Sequence, residues 1–309
     1  MISRRNIRVK VMQTLYTLST ADGQNLPEPV KLLKKQVDAS GQLFIYLLYI
    51  LTEVARYSEK DALKRASKNL PSEKDLNVNT KLSGNEFLWK ILENGSFKKA
   101  VDDEKPYLID DSQQQIKKIY NQLTETEEYS KYIQLQSRDK KSEKEIVVFI
   151  FTNLMLPSED FTSHVEEHFT NWDDDSEMMS QLMLNYLQKP GSYDLKEMIS
   201  SEKWEFAKGL LNTVREKREY VLGLIKPKLK NWDAERIAVL DMILMEMGVC
   251  ELLFFETIPT KVTINEYIDL AKAYSTPQSG QFVNGILDNI HKELASQDKI
   301  HKVDFKQKA

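Results

Sequence analysis

The chain has 309 residues, 41% of them apolar, and a formal charge of −4 with a sequence pI near 5.8. That apolar content suffices for one large domain or two smaller ones, while the mild acidity excludes a protein that wraps duplex DNA, because counterion release needs a broad positive surface. A single cysteine, Cys250, excludes an intrachain disulfide, and no Cys/His cluster has the four-ligand spacing of structural zinc, so a reducing cytoplasm is the expected location.

With 10 Gly, 9 Pro placed mostly between periodic stretches, and long Leu/Glu/Lys-rich segments, the chain is expected to be all-α. Arg4 to Ser19 predicts a first helix with Ser3 as N-cap and Val11, Leu15 and Leu18 as its apolar stripe, ended by Asp22-Gly23. The first ten residues are basic, but Val11 to Leu18 is broken by polar residues and lacks a small-residue cleavage site, so it does not read as a signal peptide. Pro29 to about Lys68 carries a long helical pattern, with an interruption expected at Ser40-Gly41. Its apolar run Leu43 to Leu51 is far shorter than the roughly 20 residues of a membrane-crossing helix, so it predicts a segment buried in protein. Pro71 closes this block and Ser72 to Gly84 reads as a loop. Phe87, Leu88, Ile91 and Leu92 predict a short helix stopped by Asn94-Gly95.

Between Ser112 and Leu156, apolar positions around Ile116, Ile119, Leu123, Ile146 and Ile150 alternate with dense charge, the pattern of helices with one solvated face. Pro157 and Pro190-Gly191 bound the next segment, where Phe161, Val165 and Phe169 recur every four residues. Leu210 to Ile225 predicts a helix ended by Pro227. Ile237 to Val249 is apolar nearly throughout, so a central helix enclosed by others is expected. Thr263-Ile-Asn-Glu266 has the spacing of a capping box, with Val262 and Tyr267 as a hydrophobic staple, and predicts the start of the penultimate helix. Gln278 to Ala295 predicts the last, with His301 to Ala309 as a polar tail. Asn171-Trp-Asp173 and Asn231-Trp-Asp233 suggest two helix starts.

One enzyme-like pattern is present: His164-Val-Glu-Glu-His168 fits H-x-x-E-H, in which the histidines hold zinc and Glu167 acts as base. The same residues border the Phe161/Val165/Phe169 stripe, and a packed helix face is the expected role. Asp173 to Asp175 could hold a hard cation, but carboxylates there more commonly charge a helix N-terminus. No phosphate-binding glycine loop and no nucleophile elbow occurs, so no cofactor and no enzymatic activity are expected.

Arg4, Arg5, Arg8 and Lys10 carry the most suggestive charge. Cations in a first helical turn oppose the macrodipole at about 0.3 to 1 kcal/mol each, a conflict that an anionic ligand would reverse. With Tyr16 nearby, arginine planes and an aromatic ring suit single-stranded RNA, whose bases stack. A solvated basic terminus is the alternative, and Tyr16 or Phe282 taken singly would read as core residues.

Arg4-Arg5-Asn-Ile-Arg8 through Gln13-Thr-Leu-Tyr16, the helix Ile237 to Met247, Ile258-Pro-Thr-Lys-Val-Thr-Ile-Asn-Glu266 and Gln281-Phe-Val-Asn-Gly-Ile-Leu-Asp288 together resemble the NusB family of RNA-binding antitermination factors, over about a third of the chain. The resemblance implies an all-helical NusB-like bundle that binds the boxA element of nascent ribosomal RNA together with NusE, the small-subunit ribosomal protein, in the transcription elongation complex and away from any membrane. It implies RNA contacts from Arg4, Arg5 and Arg8, from Gln13 and Tyr16 on the same helix, from Lys261, and from Gln278, Gln281 and Phe282, with Asn284 and Gly285 securing packing. The expected organisation is an opening helix at residues 1–21, a helical elaboration at 22–195, a C-terminal bundle at 196–295 and a tail at 296–309. Two other readings stand beside it. A NusB-like module of an rRNA-processing or methylation system would require an α/β cofactor domain after the bundle, where only the stretch beyond Ala295 follows. A zinc hydrolase would use His164, Glu167 and His168.

Overall fold

Ser3 accepts a hydrogen bond from the Asn6 amide and starts α1 (Arg4–Thr20), so the first helix and its N-cap form where local sequence places them. The computed structural model describes residues 2–21, 27–191, 193–195, 197–229 and 237–303, and the Asp22-Gly23 stop lies outside them. Among the described residues all regular structure is helical, as the composition predicts.

Helix α2 (Pro29–Ala66) runs unbroken through Ser40-Gly41, contrary to expectation. Ser40 is buried and its hydroxyl donates to Asp175 at 2.7 Å, while Gly41 leaves space that a Cβ would contest with the Met198 side chain at 3.1 Å. Both residues are thus chosen by packing and do not break the helix. By length and composition α2 could cross a membrane, but its most apolar window is 72% buried within the protein.

The expected loop after Pro71 contains one turn of helix, α3 (Glu73–Leu76), held by a capping box between Ser72 and Asp75. α4 (Glu86–Leu92) follows, and Asn94-Gly95 then begins a helix, since the Asn94 side chain accepts from the amides of Ser96 and Phe97 at the head of α5 (Gly95–Glu104). α6 (Ser112–Thr124), α7 (Glu127–Gln134) and α8 (Lys140–Phe149) come next, and α8 passes directly into a π-helical turn over Ile150–Met155. α9 (Glu159–His168) and α10 (Trp172–Gln188) complete this stretch. Asn171 precedes α10, but its side chain donates to Asp175 and caps no amide. Its counterpart Asn231-Trp232-Asp233 lies outside the described residues. The remaining helices are α11 (Ser201–Glu216), α12 (Arg218–Ile225), α13 (Val239–Phe254), α14 (Thr260–Tyr274) and α15 (Ser279–Ser296).

The chain forms two compact units, one of Asp38–Met198 and one of Ile2–Val37 with Ile199–Ala309. Their sequences carry opposite charge: counted from the sequence, the first is −9 and the second +5. In the first unit the Leu43 to Leu51 run is buried, Tyr49 excepted, in a core that includes Ile116, Ile119, Phe161 and Val165. His164 belongs to this core. Its ring shares a hydrogen bond with the Tyr46 hydroxyl, which also meets Ser112, and His168 Nδ1 bonds back to the His164 carbonyl. No three-residue group of metal-ligating side chains occurs among the described residues.

Burial, and after it the charge of His168, lowers the pKa of His164 below its ordinary 6.5. The unfolded chain therefore takes up a proton that the folded one resists, so this contribution to stability is complete above the unfolded pKa and declines as pH falls below it. Denaturant titrations at about pH 7.5 and about pH 5.5 should show lower stability at the acid value, and His164→Gln should shrink the difference.

The second unit is built around α13, which is apolar on nearly all sides and packs against α1, α11, α12, α14 and α15. It continues through Leu252-Leu-Phe254, beyond the expected end at Val249. Gly248 sits where a Cβ would lie 2.9 Å from a Leu287 methyl and 3.3 Å from the Tyr267 ring, so α15 approaches α13 closely here and a larger residue would force the Leu287 side chain to shift. Lys302 donates to the carbonyls of Glu251 and Phe255 at the end of α13, and the Val303 amide donates to Glu256, so the described start of the tail is fastened here. Residues 304–309 lie outside the described residues.

Candidate nucleic-acid interface

Two of the four N-terminal cations are in the interior. Arg8 is 2% exposed, and its Nε and Nη2 donate to the two carboxylate oxygens of Glu251, each at 2.8 Å. Glu251 is completely buried and also accepts from the hydroxyls of Thr263 and Tyr267 at 2.9 and 3.0 Å. Burial opposes the guanidinium charge, but the hydrogen bonds and negative charge of Glu251 outweigh it and hold the Arg8 pKa above its usual value. Burial, followed by the charge of Glu251, likewise pushes the Tyr267 hydroxyl well up. The expectation that Arg8 offers its side chain to RNA is therefore corrected: its donors are committed to tying α1 to α13. Lys10, also 2% exposed, leaves the surface patch with it.

Thr263 is corrected for the same reason. α14 starts at Thr260, behind Pro259, and no side chain caps it. Thr263 lies within the helix, where its hydroxyl serves Glu251, and Val262 is exposed and forms no staple.

Arg4 and Arg5 remain at the surface. Arg4 lies over the Phe206 ring, 5.6 Å from its centroid, with Arg8 at 5.5 Å from the same ring, so their i, i+4 spacing aligns them on one aromatic platform. Arg4 also donates to Glu202 at 2.7 Å. Arg5 points toward α14, with Asp269 at 3.7 Å and Glu266 at 3.9 Å. These pairs are half-exposed and contribute little to stability, so an incoming anion can replace them at small cost. Tyr16 is 42% exposed. It follows Arg5 by eleven residues, about three turns, and shares its helical face. Gln13 is half-buried, and its amide nitrogen is enclosed without a hydrogen-bond partner.

From Arg5 a path of neighbouring groups leads to the start of α15. Asp269 lies 3.8 Å from the Lys272 amine, and the Lys272 stem lies across Gly280, where a Cβ would come within 2.6 Å of Lys272 Cγ. Ser279, first residue of α15, donates to the buried Asp241 at 2.7 Å, placing that carboxylate at the positive ends of both α13 and α15. Gln278 and Gln281 are exposed beside it and Phe282 is half-buried; Lys261 is exposed in the first turn of α14. The structure thus gathers Arg5, Lys272 and the head of α15 along one side of the unit. Phe206 and Lys272 were not singled out from the sequence. Phe206 carries no signature apart from its aromatic ring, and the i, i+3 pairing of Lys272 with Asp269 is a common surface pattern.

Residues 162–292 match the family model described as the NusB family. Over 98 residues the chain is 41% identical to the transcription antitermination protein NusB of Salinibacter ruber, and over 99 residues 39% identical to that of Desulfatibacillum aliphaticivorans. Each alignment takes in 32% of this chain, and it spans 61% of the first relative and 66% of the second. A solved structure of T. maritima NusB shares 32% identity, with 38% of this chain and 89% of that one aligned at a TM-score of 0.31.

Proposed function

We propose, from the match of residues 162–292 to the NusB family model and the likeness to NusB relatives, that the chain is a transcription antitermination factor that binds boxA-like single-stranded RNA together with the ribosomal protein NusE. On this reading it acts in the cytoplasm within the elongation complex and performs no catalysis, and residues 22–195 are an elaboration of the N-terminal half. The observation that carries the reading is the path from Arg5 through Asp269 and Lys272 to Gly280, which joins the arginine-bearing helix to the head of α15. RNA contacts are assigned to Arg4, Arg5, Gln13, Tyr16, Lys261, Gln278, Gln281 and Phe282, with Lys272 added and Arg8 holding α1 in place. The net charge of +5 on this unit favours a polyanion here.

Labelled boxA-like RNA titrated into the protein, with and without NusE, tests the proposal. The double variant Arg4→Ala/Arg5→Ala should bind more weakly and lower the slope of log affinity against log salt by about 1.4, or about 0.7 for each phosphate no longer neutralised. An unchanged slope and affinity would remove these residues from the interface.

A further inference from the structure

The Asp38–Met198 unit carries a groove that the RNA reading does not use. Tyr132 from α7, Leu135 just past its end, and Ile146 and Phe149 from α8 make its apolar floor, with Glu128 and Glu145 on its walls, around a volume of about 310 Å³. On α7 the lining residues fall at 128, 131 and 132, and on α8 at 142, 145, 146 and 149. The α8 set has the spacing i, i+3, i+4, i+7 and the α7 set i, i+3, i+4, so the groove runs along a helical stripe of α8, about 10 Å or two turns long, with one turn of α7 and Leu135 beside it. A trough of that length and texture matches the apolar face of a third helix.

The floor is held in place before anything binds. The Tyr132 hydroxyl donates to the buried Glu143 at 2.9 Å, which also accepts from the Glu86 amide, and the Lys81 amine lies 4.7 Å from the Tyr132 ring centroid. Lys81 also donates to the Tyr132 and Leu135 carbonyls that end α7. Leu135 nevertheless remains 45% exposed, and Phe149 is half-buried at the junction of α8 with the π-helical turn. Such turns are rare and recur at functional sites.

Charge selects the occupant. Lys131, the cation in the lining, is paired with Glu127 at 3.0 Å, Glu145 meets Lys141 loosely at 3.7 Å, and the Glu128 carboxylate is exposed beside them. The whole unit carries −9, which repels a phosphate backbone. We infer that the α7/α8 groove is a docking site for a basic amphipathic helix of a partner protein, whose aliphatic side chains enter the floor while its lysines or arginines face Glu128 and Glu145.

A fluorescent synthetic helix of about 14 residues, with leucines at the matching spacing and lysines elsewhere, should bind the full chain in an anisotropy titration. The same peptide with glutamates in place of the lysines should bind at least about tenfold more weakly. Leu135→Asp should weaken the lysine peptide about tenfold or more, and Glu128→Lys/Glu145→Lys should weaken it while strengthening the glutamate peptide. The three substituted side chains are exposed, and unchanged far-ultraviolet circular dichroism would verify folding. Equal binding of the two peptides, or indifference to Leu135→Asp, overturns the inference. So does a concentration-dependent dimer in sedimentation that Leu135→Asp abolishes, because a second copy would then be the occupant.

Discussion

Replacing Arg8 with alanine will destabilise the second unit by about 3–5 kcal/mol, because it leaves the Glu251 carboxylate buried without its counter-charge. The pair is enclosed on all sides, and both Arg8 donors meet Glu251 at 2.8 Å, so water cannot substitute for the missing guanidinium. Glu251→Leu should cost a similar amount, since it leaves the Arg8 charge with only the looser Glu266 contact at 3.5 Å and the Thr263 and Tyr267 hydroxyls without their acceptor. Even the double variant Arg8→Met/Glu251→Leu will not restore full stability, because those two hydroxyls remain unsatisfied. Denaturant unfolding, followed by hydrogen exchange of α1 and α13 amides, measures these effects. A change below about 1 kcal/mol for Arg8→Ala would place Arg8 among surface pairs and return it to the RNA-binding set. The result also bears on any test of the N-terminal arginines as a group, since a variant that includes Arg8 loses fold along with any binding.

Alanine at Tyr16 will weaken single-stranded RNA binding by about 1–3 kcal/mol, the usual worth of one stacked base. Its ring is 42% exposed on the face of α1 that also carries Arg5, about 16 Å along the helix axis, so a strand contacting the arginine can reach it. Tyr16→Phe should keep most of the affinity, because stacking uses the ring. Tyr16→Ala should also leave the salt slope unchanged, which separates it from the arginine variants. Fluorescence titration at two salt concentrations reads both quantities, and equal affinities for Tyr16→Ala and the unaltered protein would remove stacking from the mechanism.

Much of the architecture is legible locally. Ser3 capping α1, the apolar positions that bury α2, and the enclosed α13 follow from helical period and N-cap chemistry, which act between near neighbours in the chain. Asn94-Gly95 ends α4 as read, and Asn94 then caps α5 through its near neighbours Ser96 and Phe97. Where local signals failed, a tertiary demand had claimed the residue. Ser40-Gly41 reads as a break, but Asp175 and Met198 require those two residues within a continuous helix. Thr263 has the spacing of a capping residue, but its hydroxyl is taken by Glu251.

The candidate interface divides in the same way. Arg4, Arg5 and Tyr16 on one helix, and the distant segment Gln281 to Asp288, are visible in the linear order of residues. The division of the arginines is not: Arg8 meets an acid 243 positions away, whereas Arg5 faces carboxylates that remain half-exposed or exposed. From the sequence alone came the helical class, most helix positions and the likeness of the C-terminal part to the NusB family, because periodicity and short motifs are written in consecutive residues. Only the tertiary structure decided which cations are free to meet a ligand and which hold helices together, because that depends on burial and on partners brought close by folding.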